Sequence, residues 1–421
     1  MRKKLCLLAL FLVFNQPLHA QTSASEALTL EEALRLAYIN HPKMREAKQE
    51  SSAAHGAWIS AEALPSPEAE LNVGGLKKHG DEEKQVRKGK IDSFAVRQPL
   101  DPLGTRFLRG SIARDEYNVS KGKQRLVWAE IRKDVIATYG TIITEERAVL
   151  TAEENLNATR QFSAKVQTRY QSGSALQSDV IRAGIEVSRA ENELLITQKE
   201  LKVAKGRLNL FIGRSVEEPL APADTLEYEP LAYQYQEIKD RAFKDRVDLK
   251  NERTLLSARK KGFWAAVLGA VFPQMSLGVE RTTEEFENDT AILLSASYPL
   301  WGFNAGAIQK AKAEKNIQEI RFEALKKSVS LDVYQSFLDA ELADKQVSLQ
   351  KKALEGANEL LRQITTQYEE GEIPFLNYLE NIKTIKETRL AYFTALKNYK
   401  EKVAELERAI QATPVPEGAI G

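Results

Sequence analysis

The chain has 421 residues with 60 Lys and Arg against 59 Asp and Glu, a formal net charge of +1. So even a balance excludes the basic field that nucleic-acid binding needs. The only cysteine is Cys6, and the four histidines are scattered, which leaves no disulfide framework and no metal-ligand spacing.

The first twenty residues read as a secretory signal peptide. Arg2, Lys3 and Lys4 precede an apolar run from Leu5 to Phe14, and "PLHAQ" offers a small-residue cleavage site after Ala20. Cys6 falls inside this leader and follows "KKL", so it is not read as an acylation site. No later segment has the roughly 18 uninterrupted apolar residues of a membrane helix. A membrane part must therefore be built from strands.

Residues 21–211 form a first unit. "TLEEALRLAYINHPKMREAK" opens it, with Thr29 and Glu32 spaced as a capping box. Two short runs follow, at about 66–76 and 90–100, in which Ala69, Leu71 and Val73 alternate with Glu68, Glu70 and Asn72, and Phe94, Val96 and Leu100 with Ser93, Ala95 and Arg97. Each has the length of a tilted membrane strand with one apolar and one polar face. The charged segment between them, "KKHGDEEKQVRKGK", reads as a loop in water. No proline occurs between Pro102 and Pro219, which predicts a long helix over 104–170, a turn at 171–178 and a helix over 179–211. The first of these would extend roughly 100 Å. In the last, steps of three and four from Val180 through Ala183, Val187, Ala190, Leu194, Thr197, Leu201, Ala204 and Leu208 to Phe211 make a coiled-coil seam.

A proline-bearing linker over 212–234 joins this unit to a second one over 235–411. There strands are expected at about 273–282 and 290–300, joined by the charged "RTTEEFEND". A long helix follows over 303–369, then a turn at 370–375 and a helix over 376–411; residues 412–421 make a tail. Tyr170 and Tyr368 stand 198 positions apart (368 − 170), and so do Gly173 and Gly371. Ala37 matches Ala242 and Met44 matches Leu249. One tandem duplication accounts for these matches. The seam shifted by 198 is less clean, and its flanks Ile382, Phe393, Leu396, Val403 and Ile410 are apolar too, as for a helix with neighbours on both sides.

The alternation alone fits two soluble hairpins packed on the helices as well as it fits membrane strands. The export signal and the aromatics Trp58, Phe263, Trp264, Phe272, Tyr298 and Trp301, gathered where a membrane-interface girdle would lie, favour membrane. Four strands cannot close a barrel, and open edges are not tolerated in lipid. Spanning strands would thus be pooled among subunits, two giving eight and three giving twelve, around an aqueous pore. No G-x-S-x-G, H-E-x-x-H or phosphate-loop pattern occurs, so neither catalysis nor a cofactor is expected.

With the two "Y-x-x-G" turns, "TLEEALRLAYINHP", "QPLDPLGTR" and "YPLWGFNAGAIQKAKAE" in this order, the chain from Leu28 to Ala409 resembles the TolC-type outer-membrane efflux family. The last motif and the N-terminal pattern look closest to the branch paired with heavy-metal pumps. The resemblance implies a mainly α fold with a small β part: a homotrimer with a shared twelve-stranded β-barrel in outer-membrane lipid and a long-helix α-barrel across the periplasm. It also implies a periplasmic adaptor protein and an inner-membrane pump of the RND type as partners. The turns at Gly173, Ser174, Gly371 and Glu372 would be hairpin tips that dock the adaptor. Asp179 and Tyr368 match a pairing that holds the periplasmic mouth closed, and Asn377 and Glu380 match its acidic-ring positions. Asn377 is not acidic, and Ile373 stands where some members brace the closed state with an arginine. By residue type and position alone, Asp179 fits equally well as part of a helix N-terminal cap. A periplasmic coiled-coil adaptor, or an exit duct for protein secretion, are the alternative functions.

Overall fold

The computed structural model describes residues 27–73, 91–101, 104–284, 287–298, 304–370 and 372–411. The leader, the whole loop at 77–90, Trp301, Gly371 and the tail at 412–421 lie outside the described residues, as does the side chain of Tyr368.

The order helix, helix, strand, strand, long helix, helix occurs twice. In the first half, β1 (Ala27–Leu28) precedes α1 (Leu30–Asn40), α2 (Pro42–Glu62), β2 (Glu68–Val73), β3 (Ile91–Leu100), α3 (Thr105–Gln171) and α4 (Gln177–Ile212). After β4 (Ala221–Pro222) come α5 (Tyr235–Asp245), α6 (Val247–Val271), β5 (Gln274–Glu284), β6 (Glu287–Ser297), α7 (Ala305–Glu369) and α8 (Phe375–Ala409). Thr29 caps α1 by accepting from the Glu32 N–H, whereas the Glu32 carboxylate turns to Arg35 and leaves the capping box half made.

Each long helix begins at a corner only a few residue types allow. Gly104 and Asn304, just before α3 and α7, have φ of 64° and 50°, a left-handed conformation that glycine takes freely and asparagine tolerates. Gly104 cannot cap α3, so Asp101 does, accepting from the N–H groups of Thr105 (2.8 Å) and Arg106 (2.5 Å). This explains the "D-x-x-G-T-R" order in the sequence.

The long helices α3 and α7 form a wall with the shorter ones. α4 packs on α3, α3 on α8, and α8 on α7, while α2 and α6 flank α3 toward the sheet and α6 also meets α7. All ten residues of the first seam are buried or half-buried, and so are the ten of the second. The second stripe is wide because α8 is sandwiched between α3 and α7. The positions matched between the halves share an environment: Ala37, Met44, Ala242 and Leu249 are all buried.

The linker is anchored rather than slack. β4 pairs in parallel with β1, Ala221 opposite Ala27. The Asp224 carboxylate accepts from the Leu30 N–H at 2.6 Å. The Tyr139 hydroxyl donates to the Leu28 carbonyl at 2.8 Å and accepts from the Asp224 N–H at 3.3 Å. Further along, Tyr228 donates to Asp344 at 2.9 Å and Tyr399 to the Glu229 carbonyl at 2.7 Å. Around these contacts lies a core that includes Leu28, Met44, Trp128, Ile142, Leu208 and Ile212. Proline content marked the segment, but pairing this distant in sequence leaves no local pattern.

At the corner between α5 and α6, Arg246 is buried and bonds Asp248, Asp332 (2.7 Å) and the Ala409 carbonyl (2.8 Å), tying α6, α7 and the end of α8. Replacing Arg246 by Leu would strand the Asp248 carboxylate beside a buried carbonyl and leave Asp332 to Arg408 alone; a loss of about 3 kcal/mol is expected, read by denaturant unfolding. Burial of the Tyr139 phenol raises its pKa to about 12. Its contribution is complete below pH 10, where the unfolded phenol is still neutral, and is lost as pH rises toward 12. Thermal unfolding of Tyr139→Phe should therefore fall less steeply with pH over that window than that of the parent.

Candidate functional site

β2, β3, β5 and β6 form one antiparallel sheet in that order, with β2 and β6 at its open edges. Cross-strand partners share a face, so the register sorts the side chains. Leu71, Phe94, Val96, Leu277, Val279, Ile292 and Leu294 lie on one face and are exposed, Ile292 at 80% and Leu294 at 67%. On the other face Ser93 and Ala95 are buried, and Gly278 with them, so the sheet curls with its polar side inward. That side carries Asn72 bonded to Ser93 (2.9 Å) and Arg97 bonded to Glu70 (2.5 Å). A contiguous apolar face of this size on the convex side of a sheet marks contact with lipid or protein rather than water. No described helix is long and apolar enough to cross a membrane.

The second strand pair runs further than the alternation in the sequence suggests. "RTTEEFEND" reads as a charged loop, yet pairing continues to Glu284 opposite Glu287, leaving only 285–286 outside the described residues. Ladder hydrogen bonds are made by backbone, so charged side chains need not end a hairpin once the partner strand is in register.

At the far end of the wall, α3 turns into α4 and α7 into α8. The first turn is closed by Ser174 N–H donating to the Arg169 carbonyl (2.7 Å) and Gly173 N–H to that of Tyr170 (3.0 Å), with Gly173 at φ 75°. These are the two bonds of a Schellman cap. In the second turn Glu372 N–H donates to the Gln367 carbonyl (2.8 Å), the same bond 198 positions on. The tips share their closure but differ in chemistry. Ser174 corresponds to Glu372 and Arg182 to Glu380, and all four are exposed.

The sequence-nominated residues at these tips have local partners. The Asp179 carboxylate accepts from the Leu176 N–H at 3.3 Å and its own N–H donates to the Leu176 carbonyl at 3.0 Å, a helix-start role. Asn377 and Glu380 are exposed on the first turns of α8, where their carbonyls accept from Asn381 and Thr384. The hairpins are tied to each other further up, at positions the sequence did not single out: Lys386 of α8 pairs with Glu193 of α4, and Arg389 lies 3.9 Å from Glu154 of α3. Sequence spacing cannot show pairs between helices nearly two hundred residues apart.

The aromatics divide. Trp58 stands one turn before the end of α2 and stacks on Tyr117 of α3, with ring centroids 5.7 Å apart, beside His55. Phe263 and Trp264 touch edge to face in α6, and Trp264 is exposed. Tyr298 follows β6 directly. Among the described residues no cluster of three or more His, Cys, Asp or Glu could hold a metal ion.

Gly173 sits in open space, so a Cβ there meets only backbone strain. Gly173→Ala should cost about 1–2 kcal/mol locally and speed proteolytic cleavage between Arg169 and Leu176. Gly184→Ala, equally open but inside α4, should not.

Comparison with known proteins identifies this architecture. The chain is 22% identical to the cobalt-zinc-cadmium resistance protein CzcC of Cupriavidus metallidurans, over 92% of this chain and 91% of that one. It is 25% identical to the cation efflux system protein CusC of Escherichia coli, over 94% of this chain and 85% of that one. Its fold matches the crystal structure of the CmeC outer membrane channel of Campylobacter jejuni with a TM-score of 0.76, covering 93% and 87% of the two chains at 12% identity. The sequence profile of the outer membrane efflux proteins matches residues 33–214 and 249–411, and the chain belongs to that family.

Proposed function

We propose that this outer-membrane efflux channel works as a homotrimer whose copies pool their strands into one twelve-stranded barrel, continued by a periplasmic barrel of helices. The observation that carries this reading is the four-stranded sheet with two open edges and an exposed apolar face. Unpaired backbone groups at those edges would each cost several kcal/mol in hydrocarbon. Strands of a neighbouring copy satisfy them, and three copies reach a number that leaves a water-filled lumen. The repeated element order is read as a tandem duplication, which gives each copy two hairpins and the mouth of a trimer six tips.

In this reading the duct receives solute from an RND-type inner-membrane pump through a periplasmic adaptor that docks on the tips at Gly173, Ser174, Gly371 and Glu372. The names of the two relatives, a cobalt-zinc-cadmium resistance protein and a cation efflux protein, support metal cations as the cargo. Transport along such a duct needs no bound metal. Trp264, Tyr298 and Trp301 are assigned to the membrane interface, and Phe263 with Trp58 to its periplasmic border. Asp179 and Tyr368 of adjacent hairpins are assigned to the closed mouth, with Asn377 and Glu380 as its ring.

Chemical cross-linking of the detergent-extracted protein should trap a three-chain species as the end point, and a monomer that stays dispersed without detergent would overturn the pooled barrel. In planar bilayers Tyr368→Phe should lengthen channel openings. Unchanged open times would remove the Asp179–Tyr368 pairing and leave the trimer standing.

A further inference from the structure

The concave face of the sheet is electrically lopsided. By register, Glu68, Glu70, Arg97, Glu280 and Asp289 all lie on it. Among the residues whose side chains are described, Arg97 is thus its one base, set against these four acids. The opposite face carries a single described charge, Arg281.

Arg97 has a place made for it. Its cross-strand partner is Gly278, and a Cβ added there would stand 2.9 Å from Arg97 Cγ and 2.9 Å from the Val96 carbonyl oxygen. Glycine weakens a strand interior and commonly marks the close approach of another group. Here the missing side chain lets the Arg97 Cγ lie close against β5, while its guanidinium reaches back to Glu70 Oε2 on β2 at 2.5 Å. Glu280 lies two residues from Gly278 on the same face, opposite Ala95, and among the described residues no base lies within ion-pair distance of it. Arg97 therefore cancels Glu70, and among the described residues no base pairs with Glu68, Glu280 or Asp289.

We propose that Arg97, seated over Gly278 and paired with Glu70, sets the charge of the β-walled passage, and with it the preference of the duct for cations over anions. The proposal rests on the pooled-barrel reading, in which this face lines the lumen and every charge recurs in each copy. Fixed charges of one sign in a narrow wall concentrate counter-ions. Removing Arg97 makes the passage more acidic and removing Glu70 or Glu280 makes it less so. An Arg97–Glu70 contact that served only to clip β2 to β3 would have no such signed effect.

The test is the reversal potential of the full-length channel in planar bilayers under a KCl gradient. At about 0.1 M salt, where the Debye length is about 10 Å, Arg97→Gln should raise the potassium-to-chloride permeability ratio roughly twofold, and Glu280→Gln and Glu70→Gln should each lower it by a similar factor. The double variant Arg97→Gln/Glu70→Gln has the parent's net charge and should return the ratio to the parent value. All these shifts should fade near 1 M, where the Debye length is about 3 Å. Should Arg97→Gln fail to insert, Glu280→Gln and Glu70→Gln decide the matter by the same ratio. Conducting variants with an unchanged ratio at low salt would overturn the role of Arg97 while leaving the duct intact. A parent chain that cross-links to no species beyond the monomer would instead remove the pooled-barrel reading beneath it.

Discussion

Backbone hydrogen bonding at the edges of one small sheet governs the rest of this molecule. β2 and β6 each present a row of donors and acceptors with no strand partner among the described residues. In water such edges are a liability; in hydrocarbon they are forbidden. In the pooled-barrel reading the exposed apolar face selects hydrocarbon as its medium, and that medium calls for strands from further copies. The helical wall fits the same reading, because a sheet that closes only in company calls for helices that also run side by side.

The wall meets that demand through uneven side-chain stripes. α4 has a narrow seam for α3 and an outer face with Ile181, Ile185, Leu195 and Ile196 exposed. α7 is similarly bare at Ile317, Ile320, Leu331 and Leu342. α8, enclosed between α3 and α7, is apolar on two flanks. Ion pairs cross the wall at several heights, from Lys261–Asp115 near the sheet, through Arg132–Glu407 at mid-length, to Lys386–Glu193 above the tips. Half-buried pairs of this kind fix the register between helices whose apolar seams alone would allow sliding.

Much of this architecture is legible in the sequence, because its signals are periodic. The proline-free stretches foretell α3 and α7 within two residues at each end, since a single proline would have broken them. The seam from Val180 to Phe211 foretells the face α4 turns to α3. Alternation at Phe94 and Val96 foretells which side of the sheet is apolar. What escapes is long-range and polar. The bridge between β1 and β4, the grip of Arg246 on the Ala409 carbonyl, and the pairing of Lys386 with Glu193 each join residues more than 150 positions apart with no repeat to betray them. Of the residues nominated for the mouth, Asp179 is occupied with its own helix start, a role its position at the third residue of α4 already offered.

The two-residue bridge of β1 with β4 also bears on the order of events during biogenesis. α1 is fixed in place by the Asp224 carboxylate and by a strand contributed from residues 221–222, nearly two hundred positions downstream. A chain synthesised from its N-terminus must hold that first helix unlatched until over half of its length has emerged. Closure of this bridge is accordingly a late step, which keeps α1 from settling before residues 221–224 exist.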